Sequence, residues 1–327
     1  IRLSALSSVT ALHARQGTAD IFLKVESYLD PGTVYHCDPH TAVLTPIWHT
    51  AVSFDADRFE TTQVFFPSKD GTPVSMFLTH AKNLPRHGDH PLLLYGYGGF
   101  NANHTPAFAP HVIQWLERGG IFADVNLRGG GEYGQAWHEA GMLQKKQTVF
   151  DDFIAAAEWL ITNGYTQPGR LATIGRSNGG LLTAATLLQR PDLFGAVVSV
   201  VPVTDMLRFQ RFTAGRYWTV EYGNAAENPD HFQFLYAYSP LHNVRHGAAY
   251  PPTLLTTADG DDRVVPLHAM KFAATLQANA ASTLETNPLL IRIDTKSGHG
   301  LGKPISKWLD EWADIYAFLA HTVQKGA

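Results

Sequence analysis

The stretch Gly175-Arg176-Ser177-Asn178-Gly179-Gly180 lies between the apolar run "RLATI" (170–174) and the run "LLTAATLLQ" (181–189). A G-x-S-x-G match is common by itself, because glycine and serine crowd into turns of every kind. Its setting gives it weight: it follows a strand-like run and opens a helix-like one, the context of a nucleophile elbow at the top of an α/β sheet. A strained turn of that kind needs small neighbours so that the serine can project, and the helix N-terminus beneath it favours developing negative charge.

The surrounding chain carries the same grammar. From residue 91 short buried strands ("PLLLYGY", "GIFADVNL", "RLATIG", "GAVVSVVPV", "PPTLLTTA", "PLLIRID") alternate with segments of helical spacing ("HVIQWLERG", "DDFIAAAEWLITNG", "GGLLTAATLLQR", "LHAMKFAATLQANA", "ISKWLDEWADIYAFLAHTV"). That alternation predicts a mostly parallel sheet covered by helices on both faces. Before it, "TTQVFFPS" and "TPVSMFLTH" flank "KDG" and read as a hairpin around Asp70-Gly71. Residues 1–45 hold short β-prone pieces, "DIFLKVESYL" and "TVYHCD", around the turn "DPGT".

The chain has 327 residues, enough to bury a large core, with 45% hydrophobic and 17% charged residues, the balance of a folded globular protein. The formal net charge of -4 and the lack of a Lys/Arg run argue against nucleic acid as a partner. The single cysteine, Cys37, excludes an internal disulfide and a zinc site built on several thiolates, and suits a reducing, cytoplasmic setting. No run approaches the length of a membrane span, and residues 1–25 lack a signal-peptide layout. The chain opens on Ile1 rather than Met, which predicts that sequence precedes it.

A serine nucleophile requires a base and an orienting acid, in this fold in the order Ser, Asp, His at strand C-terminal ends. "PPTLLTTA" runs into "DGDD", and "PLLIRIDTKS" runs into Gly298-His299-Gly300. His299 is therefore the candidate base; His321 in the last helix and His268 at a helix start have no such placement. Spacing leaves the acid open among Asp259, Asp261 and Asp262. One oxyanion donor is expected from the Asn178 backbone N–H, the other from the loop "GYGGF" (96–100), either as a backbone amide or as the Tyr97 hydroxyl.

A rival reading comes from "GGGEYG" (129–134), a G-x-G-x-x-G after a strand. Dinucleotide binding would want an acid about 20 residues on at a strand tip, whereas Asp151 and Asp152 stand in a helical segment and read as helix-start charges. No phosphate loop is present, and His138-Glu139 lacks the second histidine of a zinc-protease helix, so neither a cofactor nor a metal is expected.

The motifs "YGYGGFN", "NLRGGGEYG", "GRSNGGLL", "RPDLFGAVVSVVPVTDMLRF", "YSPLHNV", "TADGDDRVVPLHAMKF" and "SGHGLGKP", in that order, resemble the catalytic domain of the prolyl oligopeptidase family, over nearly the whole chain from about residue 20. The resemblance implies an α/β-hydrolase fold and a serine peptidase that cleaves short peptides on the carboxyl side of proline through an acyl-enzyme. It implies Ser177 as nucleophile, Asp261 as acid, His299 as base, and Tyr97 beside the Asn178 N–H as oxyanion donors. It further implies a proline pocket of Trp218, Tyr222, Phe100, Val203 and Val264, with Arg263 binding a substrate carbonyl. Arg176 stands where the family usually has glycine, and Ala214 where a larger aliphatic residue is expected, which implies a wider pocket. The family also carries a β-propeller and an N-terminal segment; residues 1–45 then correspond to the end of the last blade and 46–327 to the hydrolase domain. An acylaminoacyl peptidase or esterase of the same superfamily is the near alternative, against which Trp218 and Arg263 argue; an inactive binding module and an oxidoreductase are the remote ones.

Overall fold

The computed structural model describes residues 1–4, 6–300 and 302–324. Among the described residues, twelve strands form two sheets. The first is a four-stranded antiparallel meander of β1 (Ser8–Ala14), β2 (Ile21–Glu26), β3 (Thr33–Cys37) and β4 (Leu44–His49). β4 runs four residues past the boundary expected at 45. β1 and β4 carry no strand signal as strong as their inner neighbours, because most of their side chains are exposed and they lack a core-facing alternation.

The second sheet contains β5 (Phe59–Pro67), β6 (Pro73–Ala81), β7 (Leu92–Gly96), β8 (Ile121–Val125), β9 (Leu171–Arg176), β10 (Ala196–Val200), β11 (Thr253–Ala258) and β12 (Leu289–Asp294), in the spatial order β12-β11-β10-β9-β7-β8-β6-β5. Strands β7 to β12 are mutually parallel, while β6 pairs antiparallel with both β5 and β8. The β5–β6 hairpin turns at Asp70-Gly71 as expected, with Gly71 at φ 84°. The helices are α1 (Pro110–Glu117), α2 (Gln135–Glu139), α3 (Gln147–Thr162), α4 (Asn178–Gln189), α5 (Thr219–Tyr222), α6 (Pro229–Tyr238), α7 (Leu267–Asn279) and α8 (Ile305–Thr322).

Successive side chains of a strand point to opposite faces, and both faces here are covered. Leu92 and Leu94 pack with Phe150 and Phe153 of α3 and Leu181 and Leu182 of α4. Leu93, between them, packs with Val112 and Trp115 of α1 and Ile315 and Leu319 of α8. That is why these strands read as unbroken apolar runs. α6 escaped the periodicity reading, since only Leu235 and Tyr238 are buried in it, yet its start has a local signal: Asn228 accepts from the Asp230 and His231 amides, and Pro229 follows the cap.

Asp151 and Asp152 do not sit at a helix start, as α3 begins four residues earlier. Asp152 is fully buried and takes Arg128 Nη2 at 2.6 Å and Nε at 3.0 Å, while Arg128 Nη1 reaches Asp70 at 2.6 Å and Ser68 Oγ donates to Asp152 at 2.5 Å. The guanidinium thus ties the hairpin tip to α3, and it holds the Asp70 carboxyl well below the usual carboxylate range. Arg128→Met strands the Asp152 charge and is expected to destabilise the fold by about 3–5 kcal/mol. Adding Asp152→Asn should recover part of the loss in urea unfolding, whereas additive losses would contradict the pairing.

Candidate active site

Ser177 stands between β9 and α4 with φ 60° and ψ -113°. A β-carbon on Gly175 would lie 2.1 Å from the Gly179 oxygen, one on Gly179 2.6 Å from the Gly96 oxygen, and one on Gly180 2.7 Å from Pro202 Cα. The three glycines are therefore demanded by contact between backbones. Asn178 becomes the first residue of α4, where the amide has no partner within the helix.

The structure separates the three aspartates of the 259–262 loop. Asp261 is buried; its Oδ1 accepts the Arg263 and Val264 amides at 3.0 and 2.8 Å, and its Oδ2 lies 2.7 Å from His299 Nδ1. Asp259 and Asp262 are exposed. A carboxylate with two amides on one oxygen presents the other to the imidazole in a fixed direction. The loop bearing His299 is held by the Gly260 amide on the Ser297 carbonyl at 3.0 Å and by Arg176, which donates to the His299 carbonyl and lies 3.8 Å from Glu311. Arg176, next to the serine, thus bridges to the histidine loop.

Tyr97 follows β7. Its carbonyl accepts Asn178 Nδ2 at 2.6 Å, its ring stacks on His104 at 5.8 Å, and burial pushes its phenol pKa up, so the hydroxyl remains a donor. Phe100 meets Tyr222 edge-on at 5.4 Å; Tyr222 meets Phe209 at 5.3 Å, and Phe209 stacks on Trp218 at 6.4 Å. Val203, Val264, Trp218 and Tyr222 belong to one core cluster, with Phe100 and Ala214 packed against it. Arg263 is exposed at its edge. The expected pocket residues are therefore brought together, and Phe209, which no motif had singled out, joins them.

Four further polar side chains escaped the sequence reading or were read otherwise. Lys146, Glu221 and His138 are buried or half-buried beside the Tyr97 loop. His268 is a buried structural residue: Nδ1 accepts the Thr204 and Asp205 amides at 3.2 and 3.1 Å. Gly129, Gly130 and Gly131 of "GGGEYG" serve packing, since β-carbons there would lie 2.8 Å from the Gly98 oxygen, 2.9 Å from the Ala102 oxygen and 2.7 Å from the Asn101 oxygen, while Gly134 takes a φ of 83°. A cavity of about 660 Å³ lies on the opposite sheet face, against α1 and α8, with Arg176 and His299 on its border. Among the described residues no group of three or more His, Cys, Asp or Glu is placed to hold a metal.

His268 gives an acid-stability prediction. Burial pushes its pKa down to about 4, below the ordinary value of about 6.5 in an unfolded chain. The unfolded state therefore takes up the proton first, and stability is lost as pH falls from about 6.5 to about 4, by up to about 3 kcal/mol. The urea midpoint should drop over that window, and His268→Gln should flatten the drop; identical pH profiles for the two proteins would contradict it.

Comparison with known proteins places the site in context. The model of the prolyl oligopeptidase family matches residues 106–326. Prolyl endopeptidase of Elizabethkingia meningoseptica is 42% identical over 318 residues, covering 97% of this chain and 45% of the relative, and that of Dictyostelium discoideum is 44% identical, covering 97% and 41%. A solved prolyl endopeptidase, studied for inter-domain dynamics in catalysis and specificity, superimposes with a TM-score of 0.94 at 44% identity over 99% of this chain and 47% of its own. Prolyl oligopeptidase B from Galerina marginata, bound to a 35mer hydrolysis and macrocyclization substrate, gives 0.91 at 41% identity over 99% and 46%. The chain spans less than half the length of the relatives it matches. With its eight-stranded sheet, its serine elbow and this similarity over nearly its whole length, the chain belongs to the prolyl oligopeptidase family.

Proposed function

We propose that this chain is the catalytic part of a serine peptidase that hydrolyses short peptides after proline. The observation that carries the reading is the 2.7 Å contact between Asp261 and His299, anchored by two backbone amides, at the same end of the sheet as the strained Ser177 elbow. Relatives at 42–44% identity are named prolyl endopeptidases.

In this reading His299 Nε2 takes the Ser177 proton as the hydroxyl attacks the prolyl carbonyl, and Asp261 orients the ring and stabilises the imidazolium. In this reading the Ser177 Oγ–His299 Nε2 hydrogen bond is made in the substrate complex. The Asn178 amide and the Tyr97 hydroxyl receive the oxyanion, each worth about 3 kcal/mol. His299 then passes the proton to the leaving amine, and water releases the acyl-enzyme by the reverse path. Trp218, Tyr222, Phe100, Val203 and Val264 form the slot for the pyrrolidine ring, an aromatic-lined apolar site suited to a ring without an amide proton. Arg263, exposed at the rim, binds a carbonyl of the preceding substrate residue. The relatives' additional length, read as a β-propeller and an N-terminal segment, supplies the size filter.

A blocked Gly-Pro chromogenic amide should be cleaved, its Gly-Ala analogue should not, and Ser177→Ala should abolish the reaction. Equal cleavage of both amides would retain the nucleophile and overturn the proline pocket. Arg176→Gly releases the His299 carbonyl and is expected to lower kcat about tenfold at nearly constant KM, since small misplacements of a reacting group are costly. A kcat equal to wild type would remove Arg176 from the positioning of the base.

A further inference from the structure

Behind the site lies a buried set of charges that the reaction does not consume. Lys146 is 1% exposed. Its Nζ donates to the Gly98 carbonyl at 2.7 Å and to Asn178 Oδ1 at 3.2 Å, and stands 5.5 Å from the centre of the Tyr222 ring. Burial pushes its pKa down to about 8. Glu221, equally buried, accepts the Phe100 amide on one oxygen at 2.8 Å and lies 2.8 Å from His138 Nε2 with the other.

These contacts converge on three residues of the Tyr97–Phe100 segment. The Tyr97 carbonyl is held by Asn178 Nδ2 at 2.6 Å, the Gly98 carbonyl by Lys146, and the Phe100 amide by Glu221. Asn178 Oδ1 also accepts the Tyr222 hydroxyl at 2.7 Å, so the amide oxygen of the residue that follows the nucleophile is saturated by Lys146 and Tyr222 together. The loop needs such restraint. Gly98, Phe100 and Asn101 have φ of 63°, 58° and 56°, and the left-handed region is unfavourable for the two that bear a β-carbon. Bonds from surrounding elements are what over-determines a backbone of this kind.

A cation suits the position better than a neutral amide. An ammonium offers three protons and no lone pair; here it faces two oxygens and a ring face, all of them acceptors of positive charge. Burying a charge is costly unless it is well bonded, and no carboxylate lies within 4.0 Å of Lys146 among the described residues. A leucine or methionine would be the better core residue if packing were its only task.

We propose that Lys146 and Glu221 are positioning residues that fix the Tyr97–Phe100 loop, and with it the Tyr97 hydroxyl and the Tyr222 wall of the pocket, for stabilising the oxyanion of acyl transfer. The inference rests on the peptidase reading above. Lys146→Met frees the Gly98 carbonyl and Asn178 Oδ1; Glu221→Gln keeps the shape and weakens the hold on Phe100.

The test is a double-mutant cycle with Tyr97→Phe, on this chain, with circular dichroism and thermal melts to select folded variants. For the Gly-Pro amide, Lys146→Met and Tyr97→Phe are each expected to lower kcat about 10- to 100-fold with KM within threefold. The double variant should be little worse than the poorer single one, because both remove the same donor. Glu221→Gln should show the same pattern with a smaller loss and serves as the second arm if Lys146→Met does not fold. Losses that multiply in the cycle, or a rise in KM alone, would overturn the proposal. The rate of Ser177 labelling by a fluorophosphonate is followed in parallel, since it requires the nucleophile and oxyanion donors but no proline. Labelling without proline cleavage overturns the proline reading while the cycle is still read from labelling rates; no labelling in wild type overturns both.

Discussion

The site depends on how closely three backbone segments approach one another at the elbow. Gly175 faces the Gly179 carbonyl, Gly179 faces the Gly96 carbonyl and Gly180 faces Pro202, all at distances where a β-carbon finds no room. This contact presses the ends of β7, β9 and β10 against the first turn of α4. It leaves Ser177 at φ 60°, sets the Asn178 amide at the open helix end, and brings the Asn178 side chain within reach of Tyr97. The strain is local, and the large apolar cores on both sheet faces maintain it.

Several buried charges share one feature, a set of fixed partners that holds a loop in place. Arg128 joins the β5–β6 turn to α3, Asp261 receives two amides of its own loop, and Lys146 and Glu221 hold the loop after β7. Networks of this kind are rigid when complete and destabilising when one member is missing.

How much of this was legible in the sequence follows from what each residue's environment demands. Strands buried on both faces leave an apolar run, and the elbow leaves glycines at fixed spacing, so the parallel sheet and Ser177 could be read directly. The acid could not be read from spacing, because Asp259, Asp261 and Asp262 differ only in which direction the loop turns them; family resemblance named Asp261, and the geometry sets it apart. Lys146 left no trace at all. It adjoins Lys145 in "QKKQ", and one of the two is exposed while the other is sealed in the core, a difference decided by elements distant in the chain. Asp152 was likewise read as a helix-start charge because its partner, Arg128, lies 24 residues away.

The four-stranded meander has a different physical status from the large sheet. Its own cluster contains only Leu23, Val25 and Cys37 in the core, while Leu12, Ile47 and Trp48 are exposed. A few strands with so small a core do not supply enough buried apolar area to stand alone. Part of the support comes from Tyr28, whose ring packs on Phe77 and Phe122 and whose hydroxyl donates to Asp124 at 2.8 Å. The outer apolar residues have no such partner among the described residues. In a propeller each four-stranded blade is covered by its neighbours, and this arrangement of a thin core between apolar faces is what a single blade requires. On the same argument, adding the relatives' remaining length would stabilise the meander more than the hydrolase body, whose two cores are already closed.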